Sequence, residues 1–121
     1  MTAKGRWRVR LAATAEADVH KILRWTDENF GEAQARAYAE TLSEAIEALT
    51  EGPWVAGAKA RADIAKGLMA LHVARGGRKG RHFVLYRVGS LAMPPAIDVL
   101  RLLHDAMDLR RHIGPEEDEP S

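Results

Sequence analysis

The chain contains no cysteine. That excludes disulfides, thiolate nucleophiles and cysteine-ligated zinc, and it fits a cytoplasmic address, where thiols would stay reduced. Long apolar runs are missing too. None approaches the roughly eighteen residues of a bilayer span, so no membrane association is expected. The opening MTAKGRWRVRL is basic but has no apolar stretch behind it, so no secretory signal is expected. The five histidines show no metal-ligand spacing: His104 and His112 stand eight apart. GGRKG at 76–80 is too short for a phosphate loop and leads from one strand into another, so it reads as a basic hairpin turn. Neither a metal nor a cofactor is expected.

What is present is a single domain's worth of chain, 121 residues, enough for one core. The net charge of +1 hides a polarised distribution. Residues 1–52 carry seven Lys/Arg against nine Asp/Glu, while residues 53–87 carry eight against Asp63 alone. The tail GPEEDEPS (114–121) adds four acids and no base, and is expected to be disordered beyond a domain ending at residue 113. A basic middle of this kind suits nucleic acid or an acidic protein; solvated loops and a hairpin tip are the plainer reading for most of it.

Arg6–Leu11 alternates strictly, with Trp7, Val9 and Leu11 on one face, which is the period of a half-buried strand. Thr14 then offers an N-cap, with Glu16 and Asp18 in the first turn where the helix dipole favours acids. Val19, Ile22 and Leu23 fall at helical spacing, and Gly31 stops that helix. Ala35, Tyr38, Ala39, Leu42, Ala45, Ile46 and Leu49 make the apolar stripe of a second helix, ended by Gly52-Pro53. Residues 14–51 therefore read as an antiparallel αα-hairpin. Its outer ridge, Glu40, Glu44, Glu47 and Glu51, reads as wet surface. Residues 53–67 look like an irregular connection with a short turn of helix. LMALHVAR and RHFVLYRV flank GGRKG as a β-hairpin, and AIDVLRLL follows as a third consecutive strand. His104 is expected to start a turn into a short helix, with Asp105 in its first turn. The expected fold is α+β, in the order β-α-α-β-β-β, with the hairpin packed on a small sheet.

This order, with specific residues, resembles the RelE/ParE superfamily of bacterial toxins, and its ParE branch more closely. The residues are Ala15-Glu16-Ala17-Asp18-Val19-His20-Lys21-Ile22, Phe30-Gly31, Lys66-Gly67-Leu68, Leu85-Tyr86-Arg87 and the segment Leu100 to His112, LRLLHDAMDLRRH. Only the last is specific. The resemblance implies the toxin of a type II toxin–antitoxin pair, held inactive by a ParD-like antitoxin encoded beside it. A heteromeric complex, commonly a heterotetramer, is the family's habit. ParE-like members act on DNA gyrase by binding, whereas RelE-like members cleave mRNA on the ribosome. One fold thus hosts two functions, and the site has to choose.

Cleaving RNA needs a base, an acid and a phosphate clamp in one place. His72, His82, Tyr86, Arg87, Arg101 and His104, all on or beside the three consecutive strands, are the candidates for such a site, yet strand alternation separates them. A gyrase poison needs a surface instead, so no catalytic residue is expected. The target-binding candidates are Arg101, His104, Met107, Arg110 and Arg111. Trp25 and Trp54, large aromatics in a small protein, and Arg81 and Arg87 from the basic region are the antitoxin-binding candidates. Direct DNA binding by the toxin alone is not expected.

Overall fold

A computed structural model describes residues 6–107. Arg110, Arg111, the acidic tail and all but the first residues of the helix expected after His104 lie outside the described residues; 105–107 form a turn. Strand β1 spans Arg8–Leu11, helix α1 Ala13–Phe30 and helix α2 Glu32–Ala48, which runs on into a 3-10 turn, Leu49–Glu51. Strands β2 (Lys59–Ala60), β3 (Met69–His72), β4 (His82–Ser90) and β5 (Ala96–His104) follow. They form one sheet in the order β1-β5-β4-β3-β2. β1 lies parallel to β5, with Val9 opposite Ile97, and every other pair is antiparallel. None of the described helices is long and apolar enough to cross a membrane.

The alternation of β1 does what its period requires: Trp7, Val9 and Leu11 pack on the main core. Thr14 is not the N-cap. The helix starts directly off the strand at Ala12, whose N–H goes to the Val99 carbonyl, and Thr14 Oγ1 donates to the Leu100 carbonyl instead. Gly31 is the whole connection between the helices. At φ +96° it sits where a side chain would be strained; its N–H donates to the Asp27 carbonyl at the end of α1, and its carbonyl accepts the Ala35 N–H at the start of α2. Leu42, Ala45 and Leu49 of the α2 stripe are buried against Leu71, Val84, Tyr86, Ile97 and Val99 of the sheet. The sheet's second face carries a smaller core, in which Ile64 and Leu68 cover Ala70, Leu85 and Leu103.

The connection at 53–67 departs from expectation. It holds the two-residue edge strand β2, and its hydrogen-bonded turns at Arg61, Ile64 and Ala65 do not form a helix. The 73–81 connection is longer than GGRKG, and Arg78 at its tip bonds Glu44 at 2.6 and 3.2 Å. The α2 ridge is therefore not uniformly wet surface, because Arg78 pins the hairpin tip onto it. β5 also runs one residue further than expected: His104 is its last residue, opposite His82.

Candidate functional site

Three strand ends gather polar side chains that are remote in sequence: the end of β3 (His72), the start of β4 (His82) and the end of β5 (His104, then Asp105). The His82 and His104 rings meet edge to face at 5.3 Å, and His72 meets Phe83 at 4.9 Å. Spacing along the chain gave no sign of this, since antiparallel register brings the histidines together.

Each of these groups has a defined partner. Tyr38 reaches from α2, accepts the Arg81 N–H at 3.0 Å and leaves its own proton for His82 Nδ1 at 2.7 Å. Gly80 keeps the approach open, because a β-carbon there would collide with Val73 and press on the Tyr38 hydroxyl. Burial, reinforced by the neighbouring His104, holds the His82 pKa down to about 4. His82 is thus neutral at physiological pH, with its acceptor nitrogen already used. His72 Nδ1 accepts the Ala74 N–H, so its Nε2–H faces Asp105 Oδ2 at 2.9 Å. That bond holds the Asp105 carboxyl below the usual carboxylate range, assisted by Arg81 at 3.5 Å. Asp105 is therefore a bridge between strands, rather than the helix-capping acid expected of it. His104 Nδ1 accepts the Ala106 N–H.

Asp18 is the residue that sequence reasoning undervalued. It is 8% exposed, and its carboxylate takes Arg101 Nε at 2.8 Å, Arg101 Nη2 at 3.1 Å and the Leu102 N–H at 2.9 Å. β1 stops at Leu11, opposite Val99, so β5 beyond that point has an open edge, and Asp18 supplies an acceptor there. Arg101, a target-binding candidate, has its guanidinium on this carboxylate. The A-x-x-D pattern in α1 was the available signal; dipole stabilisation explained it too cheaply.

Tyr86 stands apart from the histidines. Its ring is fully buried, its hydroxyl donates to the Pro53 carbonyl at 2.7 Å, and burial pushes its pKa up to about 12. Arg87, one residue on, is exposed and lines a groove of about 510 Å³ with Trp54, Lys66, Met69, Val88 and Asp98. Trp54 is 69% exposed there. Trp25 is 57% exposed and rests edge to face on Phe30, 5.6 Å away. Trp7 alone of the three packs on the main core. Arg81 has a 70% exposed side chain, and Met107 is 43% exposed. The antitoxin-binding candidates are thus divided, because Arg81, paired with Asp105, lies beside the target-binding candidate His104, while Trp54 and Arg87 lie away from it. His104 and Met107 follow one end of β5, while Trp54 and Arg87 flank the other.

Residues 9–109 match the family model for the ParE toxin of the type II toxin–antitoxin system parDE. The chain is 31% identical over 108 residues to toxin ParE1 of Caulobacter vibrioides, covering 87% of this chain and 96% of that one. It is 36% identical over 108 residues to toxin ParE of Escherichia coli, covering 86% and 90%. Among solved structures, a chain of the chromosomal ParDE system of P. aeruginosa shares the fold, with a TM-score of 0.65 at 16% identity over 85% of this chain and 98% of that one. A family model matched over most of the chain, with two toxins above 30% identity covered nearly end to end, shows that the chain belongs to the ParE toxin family of type II toxin–antitoxin systems.

Proposed function

We propose that this toxin acts in the cytoplasm by binding DNA gyrase, and that a ParD-like antitoxin encoded beside it neutralises it in a heteromeric complex. The observation that carries this reading over RNA cleavage is Tyr86. An RNA-cleaving site would need Tyr86 and Arg87 to converge with His82 and His104. Tyr86 is instead four residues along β4 from His82, about 13 Å at strand rise, and its hydroxyl is committed to a backbone carbonyl. His82, the best-placed imidazole, is neutral and already bonded to Tyr38. A binding surface needs none of these groups to be chemically free.

On this reading His104 and Met107 belong to the target surface together with Arg110 and Arg111, and Arg101 holds the strand beneath them through Asp18. The antitoxin covers Trp54 and Arg87 at the groove, with Trp25 and Arg81 as further anchors. Indole and guanidinium side chains are the usual centres of binding energy in such interfaces. The test adds purified toxin to a gyrase supercoiling reaction and, separately, to a coupled translation reaction. Loss of supercoiling with intact mRNA is expected. Cleaved mRNA with untouched supercoiling would overturn the reading and move the site to His82, Tyr86, Arg87 and His104. Co-expression with the adjacent small open reading frame should restore growth to a poisoned host, and failure to do so would remove the antitoxin from the scheme.

A further inference from the structure

The groove between Trp54 and Arg87 is electrically unbalanced. Among the described residues Lys66 and Arg87 make no ion pair, although both are exposed. Asp98 also lines the groove, but its carboxylate is held by Arg10 at 2.7 Å. Two cations without partners beside an indole that is 69% exposed are suited to a short anionic peptide. A second groove of about 430 Å³ is less suited, because its Arg61 and His72 are already taken by Asp63 and Asp105.

We infer that in the free toxin, before an antitoxin takes the groove, the chain supplies its own occupant: the acidic run Glu116–Glu119 docks between Trp54, Lys66 and Arg87. Three facts point to it. The four acids are consecutive and have no base among them in 114–121. They lie beyond residue 109, where the family match ends. The distance is also spanned. Asp98 marks the groove six residues back along β5 from His104, roughly 20 Å, while residues 108–115 extend to at most about 29 Å. The tail therefore reaches the groove from the end of the sheet without unfolding any described element. Its attraction is ionic and short-ranged, acting over about 8 Å at physiological salt. The inference stands on the groove and the tail, whichever target the toxin takes.

Because the chain lacks cysteine, Ser121→Cys provides one attachment point for a nitroxide on the full-length protein. Indole N–H signals of Trp7, Trp25 and Trp54 report on it by paramagnetic broadening. Selective broadening of Trp54 is expected. It should disappear in the same labelled protein carrying Glu116→Gln, Glu117→Gln, Asp118→Asn and Glu119→Gln, and equally with Lys66→Gln and Arg87→Gln. Absence of selective broadening, or broadening that survives neutralised acids, overturns the inference. A mixture of isotope-labelled toxin without the nitroxide and unlabelled toxin carrying it identifies the molecule of origin. Broadening of Trp54 in that mixture at the intensity seen within one chain would assign the groove to a second copy's tail and refute the intramolecular docking.

Discussion

Replacing Asp18 by alanine removes three hydrogen bonds at once. Two are charge-assisted bonds from Arg101, and the third satisfies the Leu102 N–H on the stretch of β5 that β1 does not cover. A buried N–H left without a partner costs about 1–3 kcal/mol. Breaking a buried ion pair costs up to about 3–5 kcal/mol, because the remaining charge stays desolvated. The Arg101 side chain is 28% exposed and recovers some solvation from water, so the two contributions together should come to about 3 kcal/mol, the low end of the ion-pair range. Stability of a small domain is only about 5–15 kcal/mol in all. Urea denaturation followed by helix circular dichroism measures the loss. With a slope of about 1.5–2 kcal/mol per molar, the midpoint should fall by about 1.5–2 M. Asp18→Asn keeps an oxygen for the Leu102 N–H and should lose less. In a double-mutant cycle, Arg101→Met and Asp18→Ala should be coupled by at least about 1 kcal/mol. A loss below about 0.5 kcal/mol for Asp18→Ala, or additive single mutants, would show that the pair is ornamental and that the reasoning about the β5 edge is wrong.

His82 should make the fold acid-sensitive in a defined window. Its folded pKa is lowered from 6.5 to about 4, so the unfolded chain binds the extra proton first, and stability falls as pH drops from 6.5 toward 4. The loss should be on the order of 2–3 kcal/mol and should be much reduced in His82→Gln, as read by urea midpoints across that range. Tyr38→Phe removes one bond accepted from Arg81 and one donated to His82, so it should cost about 1–2 kcal/mol. The same variant should raise the His82 pKa in an NMR titration, because the bond that favours neutral imidazole is gone. Gly89→Ala should cost about 1–3 kcal/mol in thermal unfolding, since a β-carbon there would collide with the Asp98 carboxylate and open its bridge to Arg10. Arg110→Ala with Arg111→Ala should abolish gyrase inhibition while leaving the circular dichroism spectrum unchanged.

Period and punctuation made the architecture legible. The i, i+3, i+4 stripe of α2, the alternation of β1 and the glycine at 31 each have a local physical cause, and each is where the sequence placed it. The two-residue β2 carries no such signal, because Lys59–Ala60 is extended only through its pairing with Met69 and Ala70. Site chemistry was legible only in part, for a related reason. Asp18 and Arg101 are 83 residues apart, and His72 and Asp105 are 33 apart. No window along the chain contains both members of either pair. Local rules therefore assigned each acid to its own helix end, where a dipole argument was available, while the fold gave it to a strand across the sheet. Exposure of Trp25 and Trp54 was foreseeable from the small size of the core; which indole would be covered was not, since Trp7 gains its cover from the turn at Gly52.

The parallel pairing of β1 with β5 has a consequence for synthesis. Arg10 and Asp98 are 88 residues apart, and β5 is the strand between β1 and the rest of the sheet. At about 5–20 residues per second, the ribosome takes about 4–18 s to make the partner of a strand that emerged first. During that interval the helical hairpin has only half a floor to rest on, and Asp18 faces no arginine. A message cut or stalled before Ala96 therefore yields a chain without the strand that joins β1 to the rest of the sheet and without the arginine that pairs with Asp18.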